Sequence, residues 1–404
     1  MDYIKHLKIV VLGRNYNSIL GMVRAVGEAG YKVNVIKIQK KRKLLNRIIH
    51  RHSVDAKSKY IDKYIKAVDL DEESTINLIL KEFNNSNDKI ILIPTDDYVA
   101  SIIDNYQDRL PSNFLFPNID YGKGAVIEMM DKDVQKELAI RAGLNVAKGW
   151  VIEIKNKNFD IPDDIIYPVF TKPQVSILGD KSFMKRCVNQ QELEQTLKEL
   201  SGISDCPILV EEYIEIEKEY GVLGFCDKDN VLIPILVNKV AVANGNHKGV
   251  TLIGEIRPIE DYGQLKVKLS DFLRTFNFLG LVDIDLYESN GKIYFNELNL
   301  RLGAFGYAAM IAGINLPKLL IDSLQNINHN KLDFKLEKTI TCISDKVNLE
   351  DYESGYITWK QYKDNYLKAD VRFIQSESDN NPYRLFKRNE RIIRIKKMIK
   401  GIIN

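Results

Sequence analysis

Near its start the chain carries an apolar run, "LKIVVLG", residues 7–13, broken only by Lys8. A polar loop follows, then "NSILGMVRAVGEAG", in which Ile19, Leu20, Val23 and Val26 recur at helical spacing. The first pattern predicts a buried strand and the second a helix with one apolar face. Gly30 suits the end of that helix. "KVNVI" then reads as a second strand, "STINLILKEF" as another amphipathic helix, and "KIILIPTDDYVASII" as strand, turn and helix. Such units build parallel sheets. Residues 1–120 are therefore expected to form a doubly wound α/β domain. The loop "GRNYNSILG" lacks the GxGxxG dinucleotide fingerprint.

After residue 120 the pattern changes. "MDKDVQKELAIRAGLNV" predicts a helix capped by Asp131. Short strands ("GWVIEI", "YPVFTKP", "SFMKRC", "CPILVEEYI"), one helix ("QQELEQTLKEL") and two long strands ("EYGVLGFC", "VLIPILVNKVAVANG") follow without regular alternation. That argues for α+β. From about Leu332 onward the pattern is less readable.

The clearest polar pattern lies in "GLVDIDLYESNGKIYFNELNLR", two alternating runs around Ser289-Asn290-Gly291. Loop length decides the faces. A two-residue Asn-Gly turn pairs Asp285 with Asn296 and puts Glu297 on the other face. A three-residue loop closing on Gly291 pairs Glu288 with Lys292, and then Asp283, Asp285, Glu297, Asn299 and Arg301 share one face. Like charges directly opposite are destabilising. A divalent cation reverses the sign, and carboxylates with an amide oxygen are hard ligands suited to Mg²⁺ beside substrate phosphates. Wetted surface acids are the competing reading.

Composition narrows the class. The chain has 404 residues, 45% hydrophobic and 28% charged, enough for two or three soluble domains. No apolar run reaches the ~20 residues of a membrane helix. The N-terminus lacks a signal-peptide pattern. Four scattered cysteines and five histidines argue against a zinc site or a disulfide framework, so a cytoplasmic setting is expected. The net charge of +3 is uneven. Residues 384–404 carry eight Lys and Arg against one Glu, a net of +7, leaving −4 elsewhere, so the body is not a nucleic-acid binder.

Asp285, Glu297, Asn299 and Arg301 together resemble the metal-binding hairpin of the ATP-grasp superfamily. Upstream, Lys132 in "MDKDVQK" and Lys172 in "YPVFTKP" are similar to the family's two ATP-binding lysines, and "LVEEYIEIEKEYGV" to its adenine and ribose segment. The resemblance implies a two-lobed ATP-grasp domain over residues 121–330, with the nucleotide cleft between 121–214 and 215–330. It implies an extension over 331–404. It places Glu211, Glu212, Tyr213 and Ile214 at the adenine and Glu219 at the ribose. It assigns Mg²⁺ to Asp285, Glu297 and Asn299. The loop "PQVSILGDKSF" has a single glycine where the family is often richer, and Lys181 is expected to supply charge there instead.

The implied reaction is ATP-dependent joining of a small-molecule carboxylate to an amine through an acyl phosphate. Arg301 is the expected carboxylate-holding residue. Arg257 is a second candidate, with a surface strand arginine as the equal alternative. "VANGNHKGV", with His247 and Lys248, reads as a flap over the acceptor. In its "NYNSILGMVRAVGEAG" opening, its "PTDD" at Pro94–Asp97 and its late "ITWKQYKDNYLKADVRFI", the chain resembles, within the superfamily, carboxylate–amine ligases of the D-aspartate-ligase type, which add an amino acid to a cell-envelope precursor. The alternatives are another ATP-grasp reaction, carboxylase or phosphotransferase, or a non-catalytic nucleotide-binding, membrane-associated interaction protein. In the tail, Leu385, Ile392, Ile395, Met398, Ile399 and Ile402 recur at helical spacing among basic residues. This predicts a helix lying on an anionic membrane surface, or one docked on the body, or disorder.

Overall fold

The computed structural model describes residues 6–40, 53–85, 87–175, 183–203, 205–244, 250–327, 336 and 339–403. The N-terminal apolar runs form the expected parallel sheet. Its strands are β1 (Leu7–Gly13), β2 (Val33–Gln39), β3 (Ile61–Val68), β4 (Lys89–Pro94) and β5 (Phe114–Leu115), in the order β3-β2-β1-β4-β5. Helix α1 (Tyr16–Glu28) covers one face; α2 (Glu72–Phe83) and α3 (Asp97–Asn105) cover the other. Each helix begins at a side-chain cap: Asn15, Asp71 and Asp96 accept from backbone N–H groups of the first turn. The strand order reverses between β1 and β4, which opens a crevice at their C-terminal ends.

Helix α4 (Lys132–Arg141), capped by Asp131, leads into a four-stranded sheet of β6 (Gly149–Ile152), β7 (Val169–Pro173), β8 (Lys185–Cys187) and β9 (Ile208–Glu212). Helix α5 (Gln190–Ser201) buries Leu193, Leu197 and Leu200 against it. The following strands build a nine-stranded sheet. Its main members are β10 (Lys218–Cys226), β11 (Val231–Val242), β12 (Thr251–Pro258), β13 (Phe278–Ser289) and β14 (Lys292–Asn299). Helix α6 (Gly263–Arg274) packs on one face. Helices α7 (Phe305–Ile311) and α8 (Leu316–Leu324) pack on the other and join it to α1 in a continuous core.

The C-terminal segment is part of this body. Strands β15 (Ile340–Ile343) and β16 (Val371–Arg372) extend the large sheet beside β12. Helices α9 (Asp345–Glu353), α10 (Trp359–Lys368) and α11 (Asn381–Ile403) gather with Leu20 of α1 around Phe386. Arg24 of α1 is fully buried and binds Asp379 at 3.0 Å and the carbonyls of Phe373 and Ile374 at 2.7 and 2.8 Å. The tail is thus helical, and its inner face is docked on the body as far as Lys397, with Arg394 over Trp359 and Lys397 over Tyr352. No helix among the described residues is long and apolar enough to cross a membrane.

Candidate nucleotide and acyl-transfer site

The β13–β14 hairpin corrects both readings of its loop. Ser289 pairs with Lys292, so the turn is the two-residue Asn290-Gly291 type, with φ of 50° and 71°. That turn alone would put Asp285 opposite Asn296. A bulge at Asn296 inserts one extra residue, so Leu286 pairs with Phe295 but Asp285 with Glu297. Asp283 then pairs with Asn299. The acids share a face because of a kink inside the strand, not in the loop. Leu298 faces the core beneath.

The three acids do not need a metal to be tolerated. Lys239 of β11 reaches Asp285 Oδ1 at 2.6 Å and Glu219 at 3.6 Å. Lys132 lies 3.4 Å from Glu297. Arg301 lies 3.9 Å from Asp283 and donates to Asn299 Oδ1 at 3.0 Å. Lys239 and Lys132 come from elements outside the hairpin, so the hairpin sequence shows only Arg301 among these cations. Burial and the Asp285 charge push the Asp283 carboxyl up to about 7. Against its own burial, Lys239 is held charged by Asp285. Among the described residues no three His, Cys, Asp or Glu side chains close around a common point. Asp285 and Glu297, directly opposed, with Asn299 beside them, still offer the hard oxygen set that Mg²⁺ accepts while keeping waters.

Helix α4, which shares a core with Leu298 and bonds both of that residue's backbone groups through Gln135, and the four-stranded sheet across the cleft both present lysines. Lys132 and Lys136 lie one helical turn apart and share a face. Lys136 binds Glu211 Oε1 at 2.6 Å and Lys172 binds Glu211 Oε2 at 2.7 Å. Burial pulls the Lys136 ammonium below its ordinary value, and Glu211 resists this. Burial raises the Glu211 carboxyl, but Lys172 and Lys136 together outweigh it and hold the carboxyl low. Glu211, expected at the adenine, is thus committed to the two lysines. Glu212, Tyr213 and Ile214 continue outward from β9, with Tyr213 N–H on the Pro168 carbonyl at 2.9 Å. Lys172 also donates to Asn296 Oδ1 at 3.3 Å, so the bulge residue touches the opposite lobe.

The crevice at the ends of β1 and β4 meets this cluster. Thr95 hydroxyl binds the Leu12 carbonyl at 2.9 Å, and a Cβ on Gly13 would lie 1.9 Å from that hydroxyl oxygen. Glycine there lets the two loops approach. Asp96 then accepts from Arg14, and Asp97 holds Arg301 through both oxygens at 3.0 and 3.2 Å.

Arg257 is not brought to the site. Its register partner is Leu236, in line with Val222, Ile284 and Leu298 on the opposite face, and its guanidinium binds Glu255 at 2.6 Å. The alternative of a surface strand arginine describes it. Lys181, His247 and Lys248 lie outside the described residues. Lys136, Lys239 and Asp97 were missing from the sequence-based site. The four-residue step from Lys132 was a signal for Lys136; Lys239 left only an alternation within an apolar strand.

No family model matches the chain. A D-alanine–D-alanine ligase from Bacillus cytotoxicus is 29% identical over 247 residues, covering 55% of this chain and 67% of the relative. The C-terminal section of a carbamoyl phosphate synthase large chain from Methanocaldococcus jannaschii is 26% identical over 194 residues, covering 47% of this chain and 31% of that one. The chain thus spans only about a third of that synthase section. Among solved structures, an L-amino acid ligase from Bacillus licheniformis matches with a TM-score of 0.58 at 13% identity, over 83% of this chain and 79% of that one. An N5-carboxyaminoimidazole synthetase from Staphylococcus aureus matches with a TM-score of 0.59 at 16% identity, over 86% and 85%. The fold is that of the ATP-grasp enzymes. In ATP-grasp terms, the four-stranded sheet is the small lobe and the nine-stranded sheet carries the acids.

Proposed function

We propose that the protein is an ADP-forming carboxylate–amine ligase. One observation carries this reading: Lys132, on the helix packed beside β14, and Lys172, on the small sheet across the cleft, both reach the acid-bearing hairpin, with Lys172 3.3 Å from Asn296 and Lys132 3.4 Å from Glu297. In this reading Lys132, Lys136 and Lys172 take the ATP phosphates, which replace part of the negative charge that Glu211 and Glu297 supply. Glu219, at the start of β10, takes the ribose. Asp285, Glu297 and Asn299 would hold Mg²⁺, which when bound neutralises phosphate charge.

The acid substrate's oxygen attacks the γ-phosphorus and ADP leaves. The amine then attacks the acyl carbon and phosphate departs. Charge neutralisation and positioning do most of this work. Arg301 holds the carboxylate, and its Asp97 partner fixes the guanidinium plane at the crevice where the amine must enter. The finer assignment, an amino acid joined to a cell-envelope precursor as in the D-aspartate-ligase type, is the substrate class we favour, because an amino-acid ligase is among the sequence relatives.

The test is ADP release with panels of carboxylates and amines, read with mass spectrometry of the product. ADP formed only when acid and amine are both present, with an amide mass, is expected. ADP formed with bicarbonate as the only acid would assign a carboxylase instead, a reaction class consistent with the biotin carboxylase structures of similar fold. In the ligase, Asp97→Asn should raise KM for the acid and amine about tenfold or more and leave KM for ATP near native.

A further inference from the structure

The last helix has two apolar faces, and the body covers only one. Phe386 is buried, and Tyr383 and Ile393 pack with it against Leu349, Tyr362 and Ile374. Glu390, on the same side, accepts from the Tyr362 hydroxyl at 2.9 Å. Ile395 lies nine residues beyond Phe386, about two and a half turns, so it points away from the body. It is 56% exposed, with Met398 at 60% and Ile399 at 51%. These three recur at the spacing of a single stripe. Followed back toward the helix start, the stripe continues through Arg391, Arg388 and Arg384, all exposed. No carboxylate lies on it.

At its basic end the stripe borders a pocket of about 460 Å³ lined by Lys57, Asn381, Arg384, Leu385 and Arg388. Three cations and an amide line this pocket and no acid does. Lys57 comes from the short turn of helix Asp55–Lys57 against which α11 packs. The pocket is therefore held by two elements of the folded body. Packing of the chain itself does not explain three large apolar side chains left in water beside a cationic pocket. An interface of headgroups and acyl chains does: anionic phosphates meet the arginines while the apolar residues enter the boundary.

We propose that the outward face of α11 docks the protein on an anionic phospholipid surface, with headgroup phosphates at Lys57, Arg384 and Arg388 and with Ile395, Met398 and Ile399 inserted. This proposal is independent of the reaction catalysed.

The experiment is co-sedimentation of the full chain with phosphatidylcholine vesicles and with mixed phosphatidylcholine–phosphatidylglycerol vesicles. Binding to the anionic vesicles alone is expected. Arg384→Glu with Arg388→Glu should lower that binding about tenfold or more. Ile395→Ser with Met398→Ser and Ile399→Ser should do the same while circular dichroism and ADP release stay native. Equal binding by native and variant chains overturns the proposal. So does binding of inorganic phosphate without vesicle binding, which makes the pocket a site for a free anion. Loss of a concentration-dependent dimer in the apolar variant, without any vesicle binding, also overturns it and assigns the stripe to a second copy.

Discussion

Glu211 sits between Lys136 and Lys172, buried, with both its oxygens engaged. One carboxylate cannot neutralise two ammonium groups, so this part of the cleft is short of negative charge. Glu211→Gln leaves both lysines buried without a counter-ion, and a loss of roughly 3–5 kcal/mol is expected in denaturant unfolding. ATP, bringing phosphates, should restore more stability to the variant than it adds to the native chain. Thermal shift with and without nucleotide checks this.

Asp345 offers a second residue-scale expectation. Burial pushes its carboxyl up to about 6 from 3.8, while it accepts from the Ile374 N–H at 2.7 Å. The folded chain therefore holds this proton more tightly than the unfolded chain does. Its stabilising contribution is complete below pH 3.8 and is lost as pH rises through about 6. Asp345→Asn should remove this dependence, a relative gain of roughly 3 kcal/mol across the window. Urea midpoints of both chains, measured across that window, check it.

At the scale of elements, the hairpin shows how one backbone irregularity sets the chemistry. Strand alternation is a period of two, so a single inserted residue exchanges the faces of everything beyond it. The alternation of Glu297, Asn299 and Arg301 was legible, and so was Asp285 as their partner. The bulge at Asn296 was not, because no residue type there demands it. Deleting Asn296 removes the bulge and leaves Glu297 opposite Asp285 in plain alternation, with Leu298 still toward the core; what is lost is the Asn296 contact to Lys172. The deletion chain is expected to keep a cooperative thermal transition, read by calorimetry. The same period of two disposes of Arg257: register, not composition, sets it on the far face from Asp285.

At the scale of the molecule, the two ends of the chain are tied together. Arg24 and Asp379 form a buried pair between α1 and the approach to α11. Arg24→Met would strand the Asp379 carboxylate and three carbonyls, those of Phe373, Ile374 and Asp379, and a loss of about 3–5 kcal/mol is expected. Limited proteolysis should then release the C-terminal segment first. The tail was read with docking and membrane contact as alternatives. In the structure the inner face is docked and the outer face is left exposed, since a helix has room for both.

The sequence by itself determined the parallel sheet, the helix caps, the order of the lysine, acid and hairpin motifs, and the concentration of positive charge in the tail. These follow from local periodicity and local chemistry, which neighbours in the chain specify. Only the tertiary structure decided that Glu211 is shared by two lysines, that Lys239 lies on Asp285, that Asp97 grips Arg301 and that Arg257 lies elsewhere. Each of those depends on strand register or on pairing across tens to about two hundred residues, where Coulomb attraction and burial act on groups that have no relation in sequence.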